Sequence, residues 1–187
     1  LQRIGASANL LNLLQKQHPV DLAEVFGELP DKDCRGALNL LLDHNSRLAM
    51  EALIEYGSEH AAVLLADHPA DQIAVWLQEL PSDDAVALIE ELPDALSAAV
   101  LALMQPQASG GVENLLEYAE QTAGRIMNPT VFALSEDLTA GEAIGALQGS
   151  REVEMVFYLY VVDERRHLVG VVSLRRLLLV APETPLQ

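Results

Sequence analysis

Cysteine is nearly absent from the 187-residue sequence, which contains Cys34 alone, and no apolar run approaches the length of a membrane-spanning helix. One thiol cannot form an internal disulfide or a multi-cysteine zinc site, and this usage fits a reducing compartment. A spanning helix needs about 18 or more apolar residues, and the sequence has no run of that length. Phosphate-loop, dinucleotide-binding and nucleophile-elbow motifs are also missing, so we predict that the chain is not an enzyme.

Positive charge is the second scarcity. The chain has 11 basic and 28 acidic side chains, for a formal net charge of −17. Residues 1–120 hold 5 of the basic and 20 of the acidic side chains, and the interval between Arg47 and Arg125 has fourteen acidic residues and no Lys or Arg. Neutralising phosphates requires clustered Lys and Arg, so this charge excludes nucleic acid as a direct partner. It favours a cation or a basic surface.

Apolar residues recur every three or four positions from Asn9 to about Tyr118, which predicts a chain of short helices. Leu-Pro steps at 29–30, 80–81 and 92–93 end one helix and open the next. The small and polar residues 105–111 predict a loop, followed by a last helix over 112–118.

A degenerate repeat runs through this helical part. Residues 18–21 and 68–71 read His-Pro-Val-Asp and His-Pro-Ala-Asp, and residues 28–30 and 79–81 both read Glu-Leu-Pro. Helices this short cannot bury an apolar face alone, so we predict a mainly α fold in which they stack into a superhelical array.

Beyond Tyr118 the pattern becomes mixed α/β. Thr139 and Glu142 form a predicted capping box at the start of a helix. The predicted elements are strands over 131–134, 159–163 and 168–173 and helices over 139–147 and 174–180.

Three motifs carry a resemblance to a known family. Residues 118–129 read Tyr-Ala-Glu-Gln-Thr-Ala-Gly-Arg-Ile-Met-Asn-Pro, residues 158–164 read Tyr-Leu-Tyr-Val-Val-Asp-Glu, and residues 168–175 read Leu-Val-Gly-Val-Val-Ser-Leu-Arg. Together they resemble the MgtE family of magnesium transporters. The resemblance implies a helical N-type domain over 1–118, a linker over 119–129 and a small α/β CBS-type domain over 130–187, with the second CBS motif absent from this chain.

The resemblance also implies a function. In that family the region lies on the cytoplasmic face of the membrane, senses Mg²⁺ through acidic surfaces and gates a pore that this chain lacks. Its expected partners are a divalent cation, its own transmembrane domain and the second CBS motif, and we expect a homodimer. The alternative is a helical protein-interaction adaptor whose acidic face binds a basic protein and whose CBS motif is a dimerisation platform.

The acidic residues supply the candidate metal ligands. Like charges four residues apart repel on one helix face, and oxygen ligands without Cys or His favour Mg²⁺ or Ca²⁺. Asp71 matches the Asp of the family's repeated helical motif. The predicted metal set is Asp67, Asp71, Asp83, Asp84, Glu90 and Glu91. The alternative is that these are solvated carboxylates, some of them first-turn acids stabilised by the helix dipole.

A nucleotide is not an expected ligand. CBS motifs that bind adenosine groups commonly carry Gly-hydrophobic-hydrophobic-Ser/Thr-x-x-Asp, in which the Asp holds the ribose hydroxyls. Here Arg176 stands at that position, which removes the ribose acceptor, although Arg175 and Arg176 could meet phosphate.

Overall fold

The computed structural model describes residues 2–150 and 157–186, and the chain divides into two compact units, Leu1–Pro129 and Thr130–Gln187. The described residues form twelve helices and three strands, with all the strands in the second unit. The predicted fold class, mainly α followed by a small α/β part, is confirmed. No helix among the described residues combines the length and the apolar character that crossing a membrane would require.

The first unit is a series of short helices, most of them two to four turns long. Their bounds are α1 Gln2–Leu14, α2 Pro19–Glu28, α3 Asp31–His44, α4 Ser46–Tyr56, α5 Ser58–Leu65, α6 Ala70–Leu77, α7 Ser82–Glu91, α8 Asp94–Leu103, α9 Pro106–Leu116 and α10 Ala123–Ile126.

Proline sets many of the helix starts, as the Leu-Pro steps predict. Pro30, Pro81 and Pro93 are the N-cap residues of α3, α7 and α8. Pro19 is the first residue of α2, where its missing N–H is not needed. A proline fixes its own φ and disfavours the helical conformation in the residue before it. One Leu-Pro step therefore both ends a helix and begins the next.

The predicted loop over 105–111 is wrong, because α9 begins at Pro106 and continues through the small residues. Those residues permit close packing against α7: a Cβ at Gly111 would lie 2.7 Å from Ser82 Oγ. Gly and Ser are typical helix breakers, but here they allow two helices to approach.

Helices two apart in the chain pack against each other. α2, α4, α6 and α8 form one row, while α1 packs on α3, and α5, α7 and α9 form a second row. One continuous core joins them, and the largest fully buried side chains include Phe26, Met50, Leu65, Ile73 and Leu88. Cys34 is buried in the same core.

The second unit is a three-stranded sheet with two helices. Its elements are β1 Ala133–Ser135, α11 Ala140–Gly149, β2 Tyr158–Val162, β3 Leu168–Ser173 and α12 Leu174–Leu179. The strand order is β1-β2-β3, with β1 parallel to β2 and β2 antiparallel to β3. The strand predicted over 131–134 is displaced toward Ser135, because pairing with Val161 buries Leu134 and leaves Val131 exposed outside the ladder.

The capping box of α11 is confirmed. Thr139 Oγ1 accepts from the Glu142 backbone N–H (3.4 Å), and Glu142 Oε2 accepts from the Thr139 backbone N–H (2.9 Å).

One sheet face packs on the helices through Leu134, Leu159 and Leu177. The other face leaves apolar side chains uncovered, including the cross-strand pair Tyr160 and Val171.

Candidate cation-binding surface

The acid-only interval, residues 48–124, covers nearly all of α4 and the whole of α5 to α9. Basic side chains reach it from outside. Arg35 of α3 forms an ion pair with Asp67, Arg47 of α4 pairs with Glu51, and Arg125 of α10 pairs with Glu90. The absence of Lys and Arg within the interval is visible in the sequence, but the pairing of Arg35 and Arg125 is not, because their partners lie 32 and 35 residues away.

Two of the predicted ligands flank the turn between α5 and α6. Asp67 is exposed and its Oδ2 accepts from Arg35 Nη1. Asp71 is exposed in the first turn of α6, which begins after the N-cap residue Pro69. A carboxylate there is favoured by the helix dipole with or without a metal. Between the two acids, the His68 ring packs edge-on against Trp76, with the ring centroids 5.0 Å apart.

Asp83 and Asp84 lie partly buried in the first turn of α7. The N-cap residue Pro81 offers no side-chain acceptor to this helix. Asp83 Oδ1 is buried, and the described residues give it no hydrogen-bond partner. An acceptor removed from water without a partner costs about 1–3 kcal/mol, and Asp83 Oδ1 is the one such atom among the predicted ligands within the described residues.

Glu90 and Glu91 lie in the last turn of α7, where an acid opposes the helix dipole. Glu90 Oε1 accepts from Arg125 Nε at 2.9 Å and also from Nη2 of the same guanidinium. Only 11% of the Arg125 side chain is exposed, so this pair is partly withdrawn from solvent. Glu91 is exposed.

The six predicted ligands therefore occupy three places: the α5–α6 turn, the start of α7 and the end of α7. The eight residues of α6 span about 12 Å, which separates Asp71 from the turn before Asp83. Within residues 2–150 and 157–186, no three His, Cys, Asp or Glu side chains form a group that could hold a metal ion. The metal set stays a prediction, with members that do not converge on one point.

The second unit has a cavity of about 310 Å³ beside α12, lined by apolar side chains together with Arg176 and Thr184. Ser173 caps α12, since its Oγ accepts from the Arg176 backbone N–H at 3.3 Å. Among residues 2–150 and 157–186, no carboxylate lines this cavity. The family pattern has a ribose-binding Asp at this position, whereas here the positively charged side chain of Arg176 lines the cavity.

A carboxylate that the sequence analysis gave no role organises the turn between β2 and β3. Asp163 Oδ1 accepts from the backbone N–H groups of Arg165 (2.9 Å) and His167 (2.7 Å), and Oδ2 lies 3.0 Å from His167 Nδ1. The His167 backbone N–H is the main reason that the pKa of Asp163 is lowered. An Asp followed four residues later by His at a strand end was the available signal.

Comparison with known proteins identifies both units. The family profile described as the MgtE intracellular N domain matches residues 17–121, and the CBS domain profile matches residues 123–183. The magnesium transporter MgtE of Thermus thermophilus is 39% identical over 83 residues, which are 44% of this chain and 18% of that protein. The magnesium transporter MgtE of Enterococcus faecalis is 35% identical over 79 residues, 42% of this chain and 17% of that protein. The matched segment thus spans less than a fifth of these relatives.

Two solved structures resemble almost the whole chain. The crystal structure of the cytosolic domain of the Mg²⁺ channel MgtE in complex with ATP has a TM-score of 0.84 at 30% identity, covering 99% of this chain and 75% of that one. The crystal structure of the soluble part of a magnesium transporter has a TM-score of 0.82 at 27% identity, covering 98% of this chain and 72% of that one.

Proposed function

The chain belongs to the MgtE family, and from that membership we propose that it is a cytosolic, non-enzymatic regulatory region of a magnesium transporter or channel. It senses Mg²⁺ through the acid-only interval and adjusts the opening of a pore in the membrane domain of the full-length protein. The observation that carries the proposal is the concentration of fourteen carboxylates between Arg47 and Arg125, ten of them on helices α4 to α9, with no Lys or Arg in the interval.

The physical basis is self-repulsion relieved by a counter-ion. Bringing an acidic surface against another surface costs electrostatic free energy, and a divalent cation between the two lowers that cost. Asp83, whose buried Oδ1 has no hydrogen-bond partner among the described residues, and Asp71, exposed at a helix start, are the carboxylates best suited to respond. Asp67 and Glu90 already have arginine partners.

The proposed partners follow from the second unit. Its sheet leaves Tyr158, Tyr160 and Val171 exposed on one face, and solvent-exposed apolar patches of this kind mark interaction sites. We propose that a second CBS motif of the full-length protein covers this face and that the protein is a homodimer. Sedimentation of the chain alone and with an added second motif would show whether the face is used.

Thermal unfolding in Mg²⁺ tests the sensing function. At about ten times the dissociation constant a ligand adds about 1.4 kcal/mol, which raises the melting temperature of a chain this size by about 3–6 °C. The comparison is MgCl₂ at about 10 mM against NaCl of equal ionic strength. A Mg²⁺-specific rise is expected. Equal melting curves in the two salts would contradict Mg²⁺ sensing by this chain. They would favour the alternative, an adaptor whose acidic face binds a basic protein.

The internal repeat supplies a matched control. Asp21 holds the same place in the His-Pro-x-Asp repeat as Asp71, and each lies in the first turn of its helix, α2 or α6. We expect Asp71→Asn and the double variant Asp83→Asn/Asp84→Asn to reduce the Mg²⁺-specific rise, whereas Asp21→Asn keeps it. Trp76, the single tryptophan, lies against His68 beside Asp71, so its fluorescence provides a local second readout.

A further inference from the structure

The segment after α9 is folded back on the helical unit. The Thr122 side chain donates from Oγ1 to the Ala119 carbonyl at 2.7 Å, and the Arg125 backbone N–H donates to the Thr122 carbonyl at 3.1 Å. A Cβ at Gly124 would overlap the Tyr118 ring, so the ring lies directly against the backbone of this segment. These contacts make residues 118–125 a compact turn.

Arg125 fastens that turn to two helices at once. Its Nη1 donates to the carbonyls of Leu115 (3.1 Å) and Tyr118 (3.3 Å), at and just beyond the C-terminal end of α9. Its Nε and Nη2 donate to Glu90 in the last turn of α7. Carbonyls at a helix end lack intrahelical donors, and a guanidinium there supplies both hydrogen bonds and a favourable charge.

We propose that Arg125 is a latch that makes residues 119–126 a fixed extension of the helical unit. The guanidinium joins the ends of α7 and α9 to the segment that leads to the second unit. Residues 119–126 then move together with the helical unit as one rigid body. The planar guanidinium directs Nε and Nη2 to the carboxylate and Nη1 to the two carbonyls, whereas the donors of a Lys ammonium all radiate from one atom, so Lys is a poor replacement.

The latch also assigns a role to Glu90 other than metal binding. Its Oε1 already accepts two guanidinium donors, and the positive charge of the Arg125 side chain, only 11% exposed, neutralises this carboxylate and repels a cation beside it. Glu90 is thereby withdrawn from the carboxylates open to Mg²⁺. This second assignment rests on the proposed function, whereas the latch itself does not.

Trypsin tests the latch directly, because Arg125 is itself a cleavage site and no other Lys or Arg lies between it and Arg47. Cleavage after Arg125 requires the guanidinium to leave Glu90, so its rate follows the open population. The matched pair is Glu90→Gln and Glu91→Gln, neighbouring acids in one helix turn. The reference is cleavage at Arg165 and Arg166, both exposed between β2 and β3.

We expect Glu90→Gln to accelerate cleavage at Arg125, relative to the reference sites, by about tenfold, while Glu91→Gln matches the wild-type chain. Equal rates in the two variants overturn the latch. In Arg125→Met, which lacks the cleavage site, hydrogen exchange over residues 119–126 is expected to accelerate. Unchanged exchange in that variant likewise overturns it.

A Mg²⁺ arm separates the second assignment from the proposed function. In the wild-type chain, MgCl₂ and NaCl at equal ionic strength should give the same relative cleavage at Arg125. A Mg²⁺-specific acceleration shows that the cation competes for Glu90 and overturns the assignment of that residue. If Mg²⁺ changes neither the melting temperature nor Trp76 fluorescence, the sensor function fails while the comparison of Glu90→Gln with Glu91→Gln still decides the latch.

Discussion

At the scale of single residues, Gly110 and Gly111 are neighbours in α9 with different surroundings. Nothing lies within 4 Å of a Cβ at Gly110, whereas a Cβ at Gly111 meets Ser82 Oγ at 2.7 Å. Gly110→Ala should raise the free energy of unfolding by about 0.5–1 kcal/mol, because alanine loses less backbone entropy in a helix. Gly111→Ala should gain less or destabilise the chain. Urea denaturation followed by circular dichroism measures both, and equal gains would contradict the close approach of α7 and α9.

Asp163 gives the second unit a dependence on pH. Hydrogen bonds from the His167 and Arg165 backbone lower its pKa in the folded state. The stabilisation is therefore present above the unfolded pKa of about 4 and is lost as pH falls through the lower folded pKa. Asp163→Asn should accelerate hydrogen exchange in β2 and β3 at neutral pH. It should also reduce the further acceleration of this exchange that acid causes in the wild-type chain. The exposed Asp137→Asn is the control, and equal acid responses in the two variants would contradict the prediction.

At the scale of elements, α11 depends on its capping box. Thr139→Ala removes the acceptor for the Glu142 backbone N–H and the hydroxyl that Glu142 Oε2 contacts at 2.8 Å. A lost N-cap costs about 0.5–2 kcal/mol, so α11 amides should exchange faster with solvent. Thr184→Ala is the control, because Thr184 contributes its backbone carbonyl to Ala140 and its side chain is exposed. Equal exchange in the two variants would refute a role for the box.

The start of α12 decides the response to ATP. Arg176 lines the cavity in the second unit, where the family pattern has an acidic ribose acceptor. We expect ATP without Mg²⁺ to leave the melting temperature of the wild-type chain unchanged and to raise that of Arg176→Asp. Arg175→Asp, one residue earlier and not in the cavity lining, should behave like the wild type. A rise in the unaltered chain would show that this Arg tolerates the nucleotide.

Elements were predictable where the pattern is local. Helix boundaries at Leu-Pro steps and the capping box at Thr139 depend on a few neighbouring residues, and both are confirmed. The α9 prediction was wrong because glycine alone cannot tell a breaker from a packing contact. Asp67 and Glu90 could be recognised as acidic, but their arginine partners depend on contacts across 32 and 35 residues, which no local pattern contains.

At the scale of the whole molecule, the net charge of −17 makes stability depend on ionic strength. Raising NaCl from about 10 to about 150 mM shortens the Debye length from about 30 to about 8 Å and screens repulsion among the acids. The melting temperature should rise over this range. The melting temperature should rise less in the double variant Glu113→Gln/Glu117→Gln, which removes an exposed like-charged pair at the C-terminal end of α9. A melting temperature of the wild-type chain that does not change with NaCl would show that the charges of the acids are already compensated within the protein.

The burial of Cys34 has a practical consequence for spectroscopy. Desolvation raises the pKa of this thiol, and only 3% of the residue is exposed. Because the thiolate is the reactive form, we expect Cys34 in the folded chain not to react with maleimide or nitroxide reagents. A cysteine introduced at exposed Val63 in the first unit and another at exposed Leu178 in the second could carry a pair of labels without removal of the native residue. The distance between the units, with and without Mg²⁺, then becomes directly measurable.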